Sequence, residues 1–306
     1  MTAMPQVAAI SIIPPGMQLN LLTIVGVGLI GGSIGLAAKR RGLARRVRGL
    51  GHRQASLERA LALGAIDEAH LDPKAAMADA DFVVFCTPVD QIAAQVLEYS
   101  AYCKRDALLT DAGSAKAALV KRIDKQMPAG RPPFVGSHPL AGSEKRGPEF
   151  ADAQLFEGRW TLVTPTAKTP AAAVAKVTSF WTALGSRVQA MHPFDHDGVV
   201  GVTSHLPHVV AAALAGVLPA DSREFAASGF RDTTRIASGD PALWAAILFE
   251  NRAPVLSAMA KFSGKMCQFR LALEAHDHAA VASLLAQAKE VRDAPMSDSM
   301  RLSKNS

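Results

Sequence analysis

The sequence predicts an α/β protein: a doubly wound parallel sheet followed by an all-helical C-terminal domain. Three observations predict it. Short, continuous apolar runs alternate with helical patterns between residue 19 and about residue 164, as in a parallel sheet buried on both faces. A glycine-rich turn ends the first run and opens a helix. From about Asp195 the chain becomes Ala/Leu-rich and mostly helical in period. The 306 residues suit two domains at roughly 100–200 residues each.

Each element has a local reason. Residues 19–25 (LNLLTIV) form an apolar run stopped by glycines, which fits a buried strand. Residues 26–42 (GVGLIGGSIGLAAKRRG) read as a glycine turn, a helix with a basic last turn and a closing glycine. Residues 46–50 are a second strand, and Leu57 to Leu63 a helix closed by Gly64. Residues 81–86 (DFVVFC) form a buried strand stopped by Thr87-Pro88, and 107–110, 134–136 and 160–164 are further strands. Thr169-Pro170 reads as an N-cap with proline at the first helical position, for a helix ending at Gly185. Pro207 should kink its helix or mark its first turn. Asp240-Pro241 starts one long helix carrying Trp244, Leu248, Leu256, Met259, Met266 and Phe269. The expected organisation is an N-terminal extension over 1–18, an α/β domain over 19–168, a helical domain over 169–295 and a tail over 296–306.

Composition excludes several classes. With 49% hydrophobic and 20% charged residues the chain is neither disordered nor collagen-like. The net charge of +6 is spread along the chain and aromatics are few, so no nucleic-acid groove is expected and a small anionic substrate suits the charge. Three cysteines without a CxxC pair argue against disulfides and structural zinc and for a reducing, cytoplasmic setting. No continuous apolar run approaches the roughly 18 residues that span a bilayer, and residues 1–16 lack the charged start of a signal peptide.

Gly26-x-Gly28-x-x-Gly31 lies between a strand and a helix, the context of a Rossmann-type dinucleotide site. The first glycine permits the tight turn, the second lets backbone approach a pyrophosphate, and the third lets helix and strand pack closely. Leu29 and Ile30 open the helix whose N-terminus would hold the phosphates. A site for NAD wants a carboxylate about 20 residues further on, for the ribose 2′-hydroxyl. That count reaches Gly51-His52-Arg53-Gln54, which has none, and Arg45, Arg46, Arg48 and Arg53 lie close by. NADP is therefore expected to be preferred over NAD, because a guanidinium fork suits a 2′-phosphate.

In such sheets ligands bind beyond the carboxyl ends of the strands. Three clusters follow the later strands: Thr87-Pro88-Val89-Asp90, Asp111-Ala112-Gly113-Ser114-Ala115-Lys116, and Ser137-His138 through Lys145. Thr87, Pro88 and Asp111 are expected beside the cofactor. His138 is the best candidate for proton transfer, since imidazole titrates near neutrality unaided. Ser114 has no base nearby in sequence and reads as a hydrogen-bond donor, not a nucleophile. Lys116 could equally cap a turn.

The blocks GVGLIGGS (26–33), DAGSAK (111–116), GSHPLAGSEKRGPEFADAQLFEGRWTLVTP (136–165), SHLPH (204–208) and GFRDTTRIASGDPALW (229–244) resemble the prephenate/arogenate (cyclohexadienyl) dehydrogenases of tyrosine biosynthesis, over about residues 19–290. The resemblance implies an oxidative decarboxylation: hydride leaves the hydroxyl-bearing ring carbon for NAD(P), the ring carboxylate leaves as CO₂, and the product is aromatic. It implies that His138 takes the hydroxyl proton and that Ser114 orients that hydroxyl and the nicotinamide. It implies that His205 and Arg235 bind substrate carboxylates, with Glu144 gating the pocket and pairing with Arg235. Asp232 and Trp244 match further pocket positions, and a homodimer through the helical domain is implied as well. His205-x-x-His208 has a spacing compatible with metal, but no third ligand stands at a telling distance, so no metal is expected. The alternatives are a hydroxyacid-type dehydrogenase, which would place a lysine acid/base in the helical domain, and a catalytically inactive NADP-binding regulator.

Overall fold

The computed structural model describes residues 18–294. The expected extension (except Gln18) and tail lie outside these residues. The first unit runs to His196 and takes in Gly239–Glu250; the second comprises Asp197–Ser238 and the residues from Asn251 onward.

The first unit is built on β1 (Leu19–Val25), α1 (Leu29–Arg40), β2 (Ala44–Leu50), α2 (Gln54–Ala62), β3 (Glu68–His70), α3 (Pro73–Met77), β4 (Phe82–Phe85), α4 (Val89–Tyr99), β5 (Leu108–Asp111), α5 (Ala117–Gln126), β6 (Phe134–Pro139), β7 (Trp160–Thr164), α6 (Ala171–Ala183) and β8 (Arg187–Ala190). The strands form one sheet in the order β3-β2-β1-β4-β5-β6-β7-β8. Because β1 is flanked by β2 on one side and β4 on the other, the winding reverses beside it and opens a crevice at the carboxyl ends.

Alternation along the strands explains the double cover. Leu22, Ile24, Phe82, Val84 and Leu108 face one apolar cluster with Ile34, Phe180 and Trp181. Leu21, Val25, Val83, Phe85 and Leu109 face the other, with Ile92, Val96, Ile123 and Ile247. Successive side chains of a strand point to opposite faces, so continuous apolar strands require helices on both.

The structure departs from expectation in several places. The sheet is not wholly parallel: β7 runs antiparallel to β6, because no crossover helix lies between them, only a 3₁₀ turn at Pro148–Phe150. β3 and β8 were not anticipated; both are short and lack a fully buried residue, so they carry no apolar run. The α/β unit continues past residue 168, since α6 buries Phe180 and Trp181 against the sheet and β8 pairs with β7. Pro170, not Thr169, occupies the cap position of α6, and the Thr169 hydroxyl instead accepts from Thr166 N–H at 2.9 Å.

The helical remainder comprises α7 (Pro193–Val200), a π turn at Gly201–His205, α8 (Leu206–Gly216), α9 (Ser228–Thr234), α10 (Pro241–Glu250), α11 (Arg252–Glu274) and α12 (His278–Asp293). Pro207 lies inside the continuous helical run Pro193–Gly216, two residues after a π turn at Gly201–His205, a local departure from the α pattern beside the missing N–H. The helical run Pro193–Gly216 is 24 residues long and apolar enough on average to reach bilayer-spanning range, although polar residues interrupt it in sequence. The expected single helix from Pro241 is broken at Asn251, which is buried and donates from Nδ2 to the Asp197 carbonyl at 2.9 Å.

Candidate active site

The glycine turn is set by backbone necessity. Gly26 has φ +91°, a conformation that side chains rarely adopt. A Cβ on Gly31 would lie 2.2 Å from the Gly26 carbonyl oxygen, so helix and turn approach this closely only with glycine. A Cβ on Gly28 would meet nothing within 4 Å, so its face is open space at the N-terminus of α1. Close packing at Gly31 and an open cradle at Gly28 fit a dinucleotide pyrophosphate on a helix N-terminus.

Two adjoining cavities flank this turn. The first, about 390 Å³, is lined by Gly26, Gly28, His52, Arg53, Ser56 and Tyr99 among others. The second, about 600 Å³, brings Gly28, Leu29, Ile30, Thr87, Pro88, Ser114 and His138 together. His52, Arg53, Thr87 and Pro88 line both. Arg53 is exposed. Arg48 is engaged elsewhere: its Nε donates to Glu68 at 2.8 Å, and its Nη1 donates to the Ala75 and Ala78 carbonyls. Arg46 also pairs with Glu68, at 2.8 Å. Together they hold the Glu68 carboxyl below the usual carboxylate range, the Arg48 hydrogen bond being the largest cause. The expected arginine cluster is therefore split, with Arg46 and Arg48 bound to the edge strand β3.

Asp111 does not line either cavity. Its buried carboxylate accepts from Gly113 N–H at 2.8 Å and Ser137 N–H at 3.0 Å and pairs with buried Lys116. It ties the end of β5 to β6, next to the segments that carry Ser114 and His138. Lys116 serves this buried pair. Trp181 Nε1 donates to Ser137 Oγ at 2.8 Å, anchoring β6 one residue before His138.

His138 is partly buried, and its Nδ1 lies 2.9 Å from Nε2 of His196. His196, at the start of α7, has 0% exposure. His196 was not among the residues expected at the site; a histidine inside the mostly helical pattern from about Asp195 was the available signal. The loop after β6 adds Arg146, which pairs with Asp240, and both line the larger cavity. Asp240 also accepts from Leu243 N–H at 2.7 Å, capping α10, and these bonds hold its carboxyl below the usual range, the backbone one most. Glu144 is exposed and does not line this cavity. Trp244 packs, partly buried, on the cluster around Ile92 and Val96 instead of lining the cavity.

In the helical unit His205 is turned inward: it is fully buried, with Nδ1 2.9 Å from Asn251 Nδ2. The expected carboxylate contact would therefore fall to its Nε2, since Nδ1 faces Asn251. His208, one turn on, is the partly exposed member of the pair. Its pKa is pushed down to about 4, first by burial and then by the Arg235 charge nearby. Arg235 and Asp232 are exposed. Among the described residues no cluster of His, Cys, Asp or Glu has a metal-binding arrangement.

A doubly wound sheet with a dinucleotide cradle, and a histidine and a serine on the same cavity, defines a nicotinamide-dinucleotide-type dehydrogenase fold. The family model for the prephenate dehydrogenase nucleotide-binding domain matches residues 34–190, and that for the prephenate dehydrogenase dimerization domain matches residues 192–287. The chain belongs to the prephenate dehydrogenase family. It is 35% identical to the prephenate dehydrogenase of Bacillus subtilis, over 90% of this chain and 76% of that one. It is 33% identical to the cyclohexadienyl dehydrogenase of Zymomonas mobilis, over 84% of this chain and 89% of that one. A crystal structure of prephenate dehydrogenase from A. aeolicus with hydroxyphenyl propionate and NAD+ superposes with TM-score 0.84 at 32% identity, covering 90% of this chain and 98% of that one. The glycine turn precedes the first matched residue of the family model, so it supports the dinucleotide site independently.

Proposed function

We propose that this chain is a cytoplasmic, homodimeric dehydrogenase that oxidatively decarboxylates prephenate, arogenate or both, with NADP preferred over NAD. One observation carries the reading: His138 and Ser114 line the same cavity of about 600 Å³ as the glycine turn and the start of α1. A bound nicotinamide would supply a hydride acceptor at that point. His138 takes the proton of the ring hydroxyl as the carbonyl forms, and Ser114 hydrogen-bonds that hydroxyl. Loss of CO₂ then aromatises the ring, so the protein has mainly to position its substrate and move one proton.

Gly26, Gly28, Leu29, Ile30 and Gly31 hold the dinucleotide, with Thr87 and Pro88 beside its nicotinamide half. His52 and Arg53 receive the 2′-phosphate; no carboxylate stands at the end of β2 to repel it, and Arg53 lines the smaller cavity with Ser56. Arg235 anchors the substrate carboxylates, since a guanidinium is the group suited to bidentate contact; Glu144 gates the pocket and pairs with Arg235, and Asp232 and Trp244 complete the pocket. His205 accompanies Arg235 at the substrate carboxylates, with His208 one turn on. Dimerisation rests on α11, where Leu256, Met259, Phe262, Met266 and Leu273 leave an apolar stripe exposed on the single chain.

Reduction of NADP and NAD with prephenate and with arogenate tests the reading directly. His138→Asn is expected to keep cofactor affinity and to lose about 10²–10⁴ in kcat. Near-normal turnover by that variant, or no consumption of either cyclohexadiene by the parent enzyme, overturns it.

A further inference from the structure

We propose that His196 is a positioning residue that fixes the tautomer of His138; the inference rests on the proton-acceptor role proposed for His138. The two residues lie 58 positions apart, one on β6 and the other in the first turn of α7. Their rings meet edge to face at 62°, with centroids 5.1 Å apart and His138 Nδ1 2.9 Å from His196 Nε2. A hydrogen bond between two ring nitrogens needs one N–H and one lone pair. The direction of that bond decides whether His138 can act as a base toward substrate.

With His196 Nε2 as acceptor, His138 carries its proton on Nδ1. The lone pair then lies on Nε2, across the ring from His196, and the ring lines the reaction cavity. With the direction reversed, the lone pair of His138 would be spent on His196, and Nε2 would present a proton where a proton has to be taken up. The first arrangement is the one consistent with catalysis. It also strengthens during the reaction. As the hydroxyl proton moves to Nε2, His138 becomes an imidazolium, and its Nδ1–H bond to His196 becomes charge-assisted. With hydride lost from the hydroxyl-bearing carbon to the nicotinamide that would be bound there, the bond from the ring to the departing carboxylate breaks, its electron pair enters the aromatic ring, and the phenolate oxygen recovers the proton from Nε2. No proton is gained or lost by His196 in the cycle.

Full burial suits this role. His196 has 0% exposure, so water does not compete for its Nε2, and its backbone N–H donates to the His192 carbonyl at 3.0 Å. A rigid, dry acceptor selects one tautomer more sharply than a solvated one.

The experiment uses the full-length enzyme labelled with ¹⁵N-histidine, and the variants His196→Leu, His196→Gln and His138→Asn. The ring ¹⁵N shifts of His138, assigned by their loss in His138→Asn, are read without substrate or cofactor. The expected result is Nδ1–H with an unprotonated Nε2 in the parent, and a mixture of tautomers in His196→Leu. His196→Leu should lose about 10²-fold in kcat with KM changed by less than about twofold. His196→Gln keeps an acceptor oxygen and should recover to within about tenfold of the parent. Retained cofactor affinity in both variants shows that the fold is intact. A parent His138 protonated on Nε2, or a His196→Leu enzyme with parental kcat, overturns the inference. If His196→Leu is fully active while His138→Asn is not, the positioning role falls and the base role stands; if His138→Asn is fully active, both fall.

Discussion

The two units bury their apolar residues very differently. In the α/β unit, strands and helices enclose two apolar clusters, and residues such as Phe85, Ile92, Phe180 and Trp181 have no exposure. In the helical unit α12 buries no residue, and α11 buries only Val255, Ala258 and Ala272. Its apolar side chains Leu256, Met259, Met266 and Leu273 stay exposed at three-, seven- and seven-residue steps, on one stripe of the helix. A sheet covered on both faces completes its core within one chain. A set of long helices with an open stripe completes its core only against another surface. The dinucleotide site therefore stands on the self-sufficient unit, and the chain's self-association is proposed for the other.

The contrast can be broken from either side. The largest effect is expected at the cofactor turn. Gly31→Val places side-chain atoms against the Gly26 carbonyl, where even a Cβ would stand at 2.2 Å, so the turn cannot persist unchanged. Fluorescence titration should show no saturable dinucleotide binding, and the thermal midpoint should drop in line with about 3 kcal/mol of overpacking. Binding at parental affinity would mean that the turn does not form the cradle. Next comes the helical face. The double variant Leu256→Asp/Met266→Asp should weaken self-association by about 10⁴-fold, from roughly 1.5 kcal/mol for each of the apolar side chains lost on the two protomers. Sedimentation would show half the parental mass at micromolar concentration while dinucleotide affinity is kept. An unchanged mass would place the interface elsewhere.

A smaller effect is expected at the smaller cavity. Arg53→Ala should raise the Kd for NADPH by about tenfold, the worth of one charge-assisted hydrogen bond of about 1.5 kcal/mol, and leave that for NADH nearly unchanged. Equal losses for both cofactors would remove the 2′-phosphate assignment. The smallest effect is a pH dependence of stability in the helical unit. The His208 pKa is lowered from 6.5 to about 4 in the folded chain, so the folded state favours the neutral ring. Its contribution is fully present above pH 6.5 and is lost as the pH falls toward 4. Thermal midpoints of the parent and His208→Asn should converge over that interval on acidification. A constant difference between them would show that the ring titrates normally.

Legibility in the sequence follows the range of the forces involved. The glycine turn could be read directly, because Gly26 and Gly31 answer to backbone geometry within six residues. His138 and Ser114 could be placed on one rim, because strand order puts strand ends side by side. Asp111 was assigned to the cofactor because its position in chain order is right; its carboxylate turns inward because Lys116 and the Ser137 amide, 26 residues away, give it partners. His205 and His208 are chemically identical and one turn apart, and only Asn251, 46 residues on, shows which one is internal. The same asparagine breaks a helix that the apolar pattern runs straight through.

The sequence alone determined what local chemistry can decide: apolar strands that demand helices on both faces, a turn that only glycine can make, and a histidine at the end of a strand. Tertiary structure decided the protonation partners and the direction of each side chain: Asp111 toward Lys116, Arg48 toward Glu68, and His138 toward His196. The physical reason is that a buried polar group must find its partner wherever the fold supplies one, and the distance to that partner along the chain leaves no periodic trace.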